Sequence, residues 1–177
     1  MNIQRPHKIL LTRRAALGDV VMTTGIVREL KRKYGATAEI TVSTDFPTIY
    51  ANNPHIEAVY TIKDTPASGW DVVYDLDDAY ELNPDGHFVD TYYNRVFGLD
   101  HGLDQSMELF PTDQERAKVD EDLMYISSKF IAVHMRQWHW ELKNIKPEVW
   151  FEMLIGLFEQ TVDYKIVCVG GENDFAV

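Results

Sequence analysis

The sequence predicts an α/β protein built around a parallel β-sheet, and three observations support this class. Short apolar runs alternate along the chain with longer segments whose apolar residues recur at helical spacing. The runs at residues 9–11 and 38–46 are far enough apart for the crossover helix that parallel strands require. The run at residues 70–78 is continuously apolar before it ends in acidic residues, which is typical of a strand covered on both faces.

The first element is the most informative one. An apolar run at residues 9–11 leads into a turn that closes on Gly18, and Asp19 then opens a helix with apolar residues such as Val20 and Val27 on one face. The sequence then predicts a strand at 38–46, a short helix at 47–56, a short strand at 58–62 and a strand at 70–78.

The second half of the chain continues this alternation. Residues 83–86 form an Asn-Pro-Asp-Gly turn, and helical spacing follows over residues 87–99. The sequence then predicts a short strand at 107–110, a charged helix at 114–128, a strand at 130–134, a helix that follows residues 143–150, and a strand at 164–169. We therefore predict a first domain over residues 1–125 and the beginning of a second, incomplete domain over residues 126–177.

Composition excludes several classes of protein. A formal net charge of −11 argues against general nucleic-acid binding. No apolar run approaches the ~20 residues of a membrane helix, and residues 1–8 are too polar for a secretory signal, so we expect a cytoplasmic protein. The single cysteine, Cys168, lies in an apolar run and is expected to be an inert buried thiol.

The first helix carries a basic end formed by Arg28, Lys31, Arg32 and Lys33. The favoured interpretation is that these cations complement the negative end of the helix dipole. The alternative is contact with anionic lipid, which would place the protein peripherally at the inner face of the inner membrane.

Asp19 has two interpretations that do not exclude each other. Aspartate is a preferred helix N-cap, and this carboxylate stands where a helix is predicted to begin. It also follows the first strand, so it would lie in the crevice that forms at the carboxyl ends of parallel strands, where a general base could act. The turn has neither the Gly-x-Gly-x-x-Gly fingerprint of dinucleotide sites nor the P-loop pattern.

Polar residues also follow two other predicted strands. His134 ends one strand, but neither it nor His139 has a carboxylate or cysteine at ligand spacing, so no metal site is predicted. Asp75, Asp77 and Asp78 follow another strand, and a solvated acidic loop is favoured there over a cation or sugar site.

The last predicted strand ends in Gly170 and Gly171. Two glycines would let the backbone approach a ligand closely, and the carboxylates of Glu172 and Asp174 could accept hydrogen bonds from ribose hydroxyls. The alternative is an ordinary turn.

Several of these segments form a collinear set. The opening KILLTRRAALGDVVMTTGIVRELKRKYGATAEITV combines a strand, a small-residue turn closing in Gly-Asp-Val and a Thr-rich helix start. It is followed in order by NPHIEAVY, WDVVYDLDD, HFVDTYYNRVFGL, FIAVH, KNIKPEVW and VCVGGEND. This set resembles glycosyltransferase family 9, the ADP-heptose:lipopolysaccharide heptosyltransferases. The block that begins at Lys143 departs from the family pattern, because Ile145 and Lys146 stand where the family has Trp and Pro.

The resemblance implies a GT-B fold, in which two Rossmann-like domains face each other across a cleft. The chain would hold the first, acceptor-side domain and only the beginning of the second, nucleotide-sugar-binding domain. The later loops that grip most of the ADP-sugar in the family are missing, so we expect a truncated or partial chain.

The resemblance also implies an inverting, metal-independent transfer of a heptose from ADP-heptose to a lipopolysaccharide core sugar, with no cofactor. Asp19 matches the proposed base, and Lys143 matches a residue that contacts the diphosphate. The acceptor-side residues it implies are Ala15, Ala16, Gly18, Thr23, His87 and Tyr92, and those on the nucleotide-sugar side are His134, Lys143, Gly170, Gly171, Glu172 and Asp174. The alternative is a non-catalytic module, derived from a GT-B enzyme, that binds a glycolipid or a partner.

Overall fold

The computed structural model describes residues 7–83, 85–99, 102–126, 129–134, 145–160 and 163–170. The chain forms two compact units, Met1–Asp113 and Gln114–Val177. The second unit therefore includes the segment for which a charged helix is predicted, residues 114–128.

The first unit is built on a parallel sheet of four strands in the order β3-β2-β1-β4. The strands are β1 (Lys8–Thr12), β2 (Glu39–Ser43), β3 (Ala58–Tyr60) and β4 (Val72–Asp75). The chain moves from β1 outward through β2 to β3 and then returns to the other side of β1 as β4. The strand order thus reverses between β1 and β4, and in open α/β sheets ligands bind at the carboxyl ends of the strands at such a point.

The helix after β1 differs from the predicted one. It begins at Leu17, before Asp19, and it is divided at Thr23 into α1 (Leu17–Met22) and α2 (Thr24–Tyr34). The hydroxyls of Thr23 and Thr24 donate to the carbonyls of Val20 and Val21. Such bonds from threonine to the preceding turn compete with the regular backbone pattern and bend a helix.

The core of the first unit is made by apolar residues of β1, β2, α2 and α3 (Phe88–Phe97). Val20 and Val27 are fully buried, as their predicted place on the inner face requires. The other large, fully buried side chains of this cluster are Ile9, Leu11, Ile26, Leu30, Ile40, Tyr50, Leu76, Tyr92 and Tyr93.

Three further predictions for the first unit are wrong. The helix predicted at 47–56 is only a 3-10 helix, Pro47–Tyr50, because Asn52 has a φ of 58° and the Asn53 side chain accepts the backbone N–H of His55. The strand predicted at 107–110 is not a strand, since this segment is bound by side chains of α2. β4 is not covered on both faces, because its Val73 is 55% exposed.

The second unit contains α4 (Asp113–Asp122, whose first residue closes the first unit), β5 (Lys129–Val133), α5 (Pro147–Gln160) and β6 (Tyr164–Cys168). β5 and β6 pair in parallel, with Val133 opposite Cys168. Cys168 is exposed rather than buried, because none of the described residues of this unit is fully buried. Within the described ranges no helix is long and apolar enough to cross a membrane.

Candidate functional site at the end of the first strand

The candidate site is the turn that carries the chain from β1 into α1. The backbone N–H of Arg13 donates to Ser43 of β2, and that of Leu76, just past β4, donates to Thr12 of β1. These bonds fix the start of the turn at the carboxyl end of the sheet. The turn thus lies where the strand order reverses.

Asp19 is the third residue of α1, and the N-cap is Ala16. The prediction that Asp19 is the N-cap is therefore wrong, because the N-cap lies three residues earlier. Its Oδ2 nevertheless accepts the N–H of Ala16 at 3.2 Å, so the carboxylate does satisfy a free donor at the start of the helix. The side chain is 18% exposed, which leaves part of it accessible to solvent.

Arg13 is the partner of Asp19. Its Nη2 donates to Asp19 Oδ2 at 2.8 Å, and its Nη1 donates to the carbonyl of Leu76 at 3.2 Å. Among the described residues no group donates to the other oxygen, Asp19 Oδ1. One carboxylate oxygen is therefore held by two donors, while the other is free to receive a proton.

The guanidinium of Arg13 is buried among aromatic rings. Its carbon lies 5.6 Å from the ring centre of Tyr80 and 5.3 Å from that of Tyr92. Burial by itself lowers the pKa of an arginine, but the hydrogen bond to Asp19 and the nearby negative charges raise the pKa of Arg13 above its usual value. Arg13 is therefore a permanent cation behind Asp19.

A cleft of about 380 Å³ opens beside Arg13. Arg14 contacts Asp77 in two ways, through its backbone N–H at 2.8 Å and its Nε at 3.5 Å. Asp77 in turn donates its own N–H to Asp75 at 3.0 Å. The lining of the cleft is predominantly acidic and consists of Arg13, Arg14, Ala15, Asp75, Asp77, Asp78 and Glu81.

The small residues of the turn lie at the surface. Ala15, Ala16 and Gly18 are all exposed, and Ala15 lines the cleft. A Cβ added to Gly18 would meet no atom within 4 Å. The turn is therefore open to solvent at Gly18, and the close approach of a substrate there stays a prediction.

Thr23 lies elsewhere. It is fully buried. Its hydroxyl donates a hydrogen bond to the carbonyl of Val20 and accepts one from the hydroxyl of Tyr50. Burial raises the pKa of Tyr50, which keeps that hydroxyl protonated. Thr23 thus has a structural role in the fold, and its surroundings offer no support for the predicted contact with substrate.

His87 and Tyr92 are placed differently by α3. His87 is the exposed N-cap of this helix, and its carbonyl accepts the N–H and the hydroxyl of Thr91. Tyr92 is fully buried against Arg13, and burial is the main cause that raises the pKa of its hydroxyl. Tyr92 therefore packs behind Arg13 and is not accessible to a substrate, while His87 remains accessible.

The second unit holds the residues predicted to bind the nucleotide sugar. His134 directly follows β5 and is exposed, and Gly170, with a φ of 154° that favours glycine, follows β6. Since β5 and β6 end side by side, these two residues follow neighbouring strand ends. Lys143, Gly171, Glu172 and Asp174 lie outside the described residues.

Sequence reasoning missed Arg13. Arginine is expected at the surface, whereas Arg13 is only 4% exposed. The available signal was its place at a strand end, six residues before a carboxylate. In the described part of the chain, no three His, Cys, Asp or Glu side chains are grouped so as to hold a metal ion.

No protein-family model matches the chain, and no curated protein matches it by sequence. Solved structures do match. A glycosyltransferase family 9 structure from Veillonella parvula DSM 2008 has a TM-score of 0.72 and 18% identity, covering 96% of this chain and 64% of that one. The iron-containing dodecameric glycosyltransferase TibC from enterotoxigenic E. coli H10407 has a TM-score of 0.60 and 12% identity, covering 97% of this chain and 45% of that one.

A second TibC structure, a heptosyltransferase in complex with ADP-D-β-D-heptose, has a TM-score of 0.57 and 10% identity over 96% of this chain and 43% of that one. The chain therefore spans less than two thirds of the length of these structures. The predicted α/β class, with a GT-B-like parallel-sheet domain, is confirmed. The chain thus shares its fold with these glycosyltransferase structures.

Proposed function

We propose that this chain is a glycosyltransferase of the heptosyltransferase type, which transfers a heptose or a related sugar from an ADP-sugar to a lipopolysaccharide core acceptor with inversion. One observation carries the proposal. In a chain with this fold, an accessible carboxylate stands at the point where the strand order reverses, and its Oδ1 is free among the described residues.

The proposed reaction is a single displacement. Asp19 Oδ1 takes the proton from an acceptor hydroxyl while that oxygen attacks the anomeric carbon of the donor sugar. The new carbon–oxygen bond forms on the face opposite the bond to the diphosphate, which breaks, so the configuration inverts and ADP leaves. A cation beside the diphosphate would stabilise the growing negative charge, and Lys143 is the residue proposed for this role.

The acceptor is proposed to occupy the open space in front of the turn. Ala15 and Gly18 carry no bulky side chain there, and the adjoining cleft offers carboxylates that can accept hydrogen bonds from sugar hydroxyls. His87, exposed at the start of α3, is the proposed polar contact at the edge of this region.

The donor is proposed to bind to the second unit. A structural neighbour holds ADP-D-β-D-heptose, which supports a nucleotide sugar as the ligand class. His134 and Gly170 follow paired strand ends, a common place for such ligands. The other residues proposed for donor binding are Lys143, Gly171, Glu172 and Asp174.

The basic end of α2 offers little support for a membrane contact. Arg28 pairs with Glu29 and Glu108, and Arg32 also pairs with Glu29. Lys31 donates to two backbone carbonyls just beyond the helix. We propose that a peripheral contact with a membrane that carries the acceptor uses a surface other than the basic end of α2.

The decisive experiment is transfer from ADP-heptose to a purified lipopolysaccharide core acceptor by this chain and by Asp19→Asn. We expect the substitution to lower kcat by about 10²- to 10⁴-fold, because the amide cannot act as a base. Asp120→Asn, an exposed residue of α4, is the control and is expected to keep full activity. Full activity in Asp19→Asn would refute the assignment of the base.

Calorimetry distinguishes the proposal from a non-catalytic binding module. The enzyme proposal predicts that ADP-heptose binds and that Lys143→Ala weakens this binding. A module that binds only the glycolipid predicts binding of the acceptor but no heat with ADP-heptose.

A further inference from the structure

We propose that Arg13 is the positioning residue for Asp19, fixing Oδ2 so that Oδ1 is the atom that receives the proton. This inference rests on the proposed role of Asp19 as the base. It assigns a function to a buried side chain that would not itself touch the substrate. Its support comes from three features of the surroundings of Arg13.

The first feature is that Arg13 is held at two places. Nη1 donates to the carbonyl of Leu76, just past β4, while Nη2 donates to Asp19 in α1. The donors of a guanidinium are fixed in one plane, so a bond at one nitrogen restricts the direction of the other. Arg13 therefore fixes the carboxylate of Asp19 relative to the end of β4.

The second feature is the aromatic enclosure. The guanidinium lies near the rings of both Tyr80 and Tyr92, which contact each other at 6.1 Å in an edge-on arrangement. The side chain of Arg13 is only 5% exposed. Cation–π contacts are stronger when water is excluded, so the rings hold the cation in place.

The third feature is that Arg13 pairs with a second carboxylate besides that of Asp19. Its Nη1 lies 3.8 Å from Asp77 Oδ1, so its charge is shared between two carboxylates. Asp77 is itself contacted by Arg14. Tyr80, Tyr92 and Glu81 are the other titratable groups near Arg13. Arg13 is therefore anchored to the acidic lining of the cleft as well as to Asp19.

The test compares Arg13→Lys, Arg13→Met and the double variant Arg13→Met/Asp19→Asn with the wild type in the same transfer assay. For Arg13→Met we expect kcat to fall about 100-fold, the effect of a misplaced catalytic group, with an unchanged KM for ADP-heptose. Arg13→Lys is expected to recover part of the loss, since it keeps the charge but lacks the fixed pair of donors. Arg32→Met, which removes an exposed arginine of another ion pair, is the control and keeps full activity.

The double variant separates positioning from an independent role. If Arg13 acts only through Asp19, the double variant is as slow as Asp19→Asn alone. A further loss equal to that of Arg13→Met would overturn the inference, as would wild-type kcat in a folded Arg13→Met. If Arg13→Met does not fold, as judged by circular dichroism, Arg13→Lys alone decides, and wild-type kcat there refutes the role of the two fixed donors.

Failure of the proposed function gives a different pattern. In that case Asp19→Asn keeps full transfer, or the wild type shows none. The inference is then decided by crystal structures of the wild type and Arg13→Met. An Asp19 carboxylate that keeps its orientation and its bond to the N–H of Ala16 without Arg13 would refute positioning, whereas a rotated carboxylate would support it.

Discussion

At the scale of single residues, two glycines of neighbouring helices lack a side chain for opposite reasons. Gly18 in α1 faces open space, while a Cβ on Gly25 in α2 would lie 2.5 Å from the hydroxyl of Tyr93 and would also overlap the carbonyl of Ser106. Gly25 is therefore required by packing within the protein. Among the described residues, no packing contact requires glycine at position 18, so the missing side chain there can serve to leave space for a ligand.

The two substitutions Gly18→Ala and Gly25→Ala test this difference. We expect Gly25→Ala to lower the free energy of unfolding by about 1–3 kcal/mol through overpacking. Gly18→Ala is expected to raise it by up to about 1 kcal/mol, since alanine favours the helix, while slowing sugar transfer. Denaturant unfolding and the transfer assay measure the two effects, and an equal loss of stability in both variants would contradict the argument.

At the residue scale the sequence pointed to Asp19 but not to Arg13. The place of Asp19 after a strand and near a helix start is local information, so its position in the crevice could be predicted. Apart from Asp19, the groups that surround Arg13 include Leu76, Tyr80 and Tyr92, which lie more than 60 residues away along the chain. Only the fold brings these groups together.

At the scale of elements, the segment after α3 is bound to α2 by side chains. Arg28 contacts the carboxylate of Glu108 and both the carbonyl and the carboxylate of Asp104. Thr24 accepts the N–H of Glu108 through its hydroxyl. The sequence predicts a short strand at 107–110, but the backbone N–H of Glu108 bonds to a side chain of α2, a tertiary contact that the sequence does not show.

The attachment of this segment is expected to weaken in acid. Hydrogen bonds from Ser106 are the main cause that lowers the pKa of Asp104, and the charge of Arg28 adds to this. Because the folded state binds this proton less tightly than the unfolded state, the stabilisation is complete above the unfolded pKa of about 3.9 and is lost as pH falls through the lower folded value.

Unfolding of the wild type and Asp104→Asn in denaturant should reveal this contribution. Acidification from about pH 5 to about pH 3 is expected to lower the denaturant concentration at the unfolding midpoint more in the wild type than in Asp104→Asn. Only the wild type has the Asp104 carboxylate that takes up a proton. Asp104 is largely exposed, so solvent screening keeps the difference small. Identical acid dependence in the two proteins would show that Asp104 does not contribute.

At the scale of the whole molecule, the strand–helix–strand order could be predicted, but the distribution of the core could not. Parallel pairing of β1 and β2 follows from the length of the crossover. The return of β4 to the other side of β1 depends on tertiary packing rather than on local sequence. It creates the point where the strand order reverses and where the candidate site lies. The apolar helix α5 looks as well suited to a core as α2 does, yet only α2 has buried residues.

This difference predicts unequal local stability in the two units. The buried core cluster lies entirely in the first unit, and the described residues of the second unit include no buried side chain. On α5, Phe151 and Phe158 are more than 60% exposed. Since protection from hydrogen exchange follows buried contacts, amides of β1 and α2 are expected to exchange much more slowly than those of α5 and β6.

Hydrogen exchange of the intact chain, followed by mass spectrometry of peptides, measures this directly. We expect at least about 100-fold more protection in α2 than in α5, corresponding to about 3 kcal/mol in the free energy of opening. Protein concentration is varied as a control, because association would cover the exposed face of α5 and raise its protection. Equal protection of α2 and α5 at high dilution would mean that the second unit has a core of its own, and the assignment of stability to the first unit would be wrong.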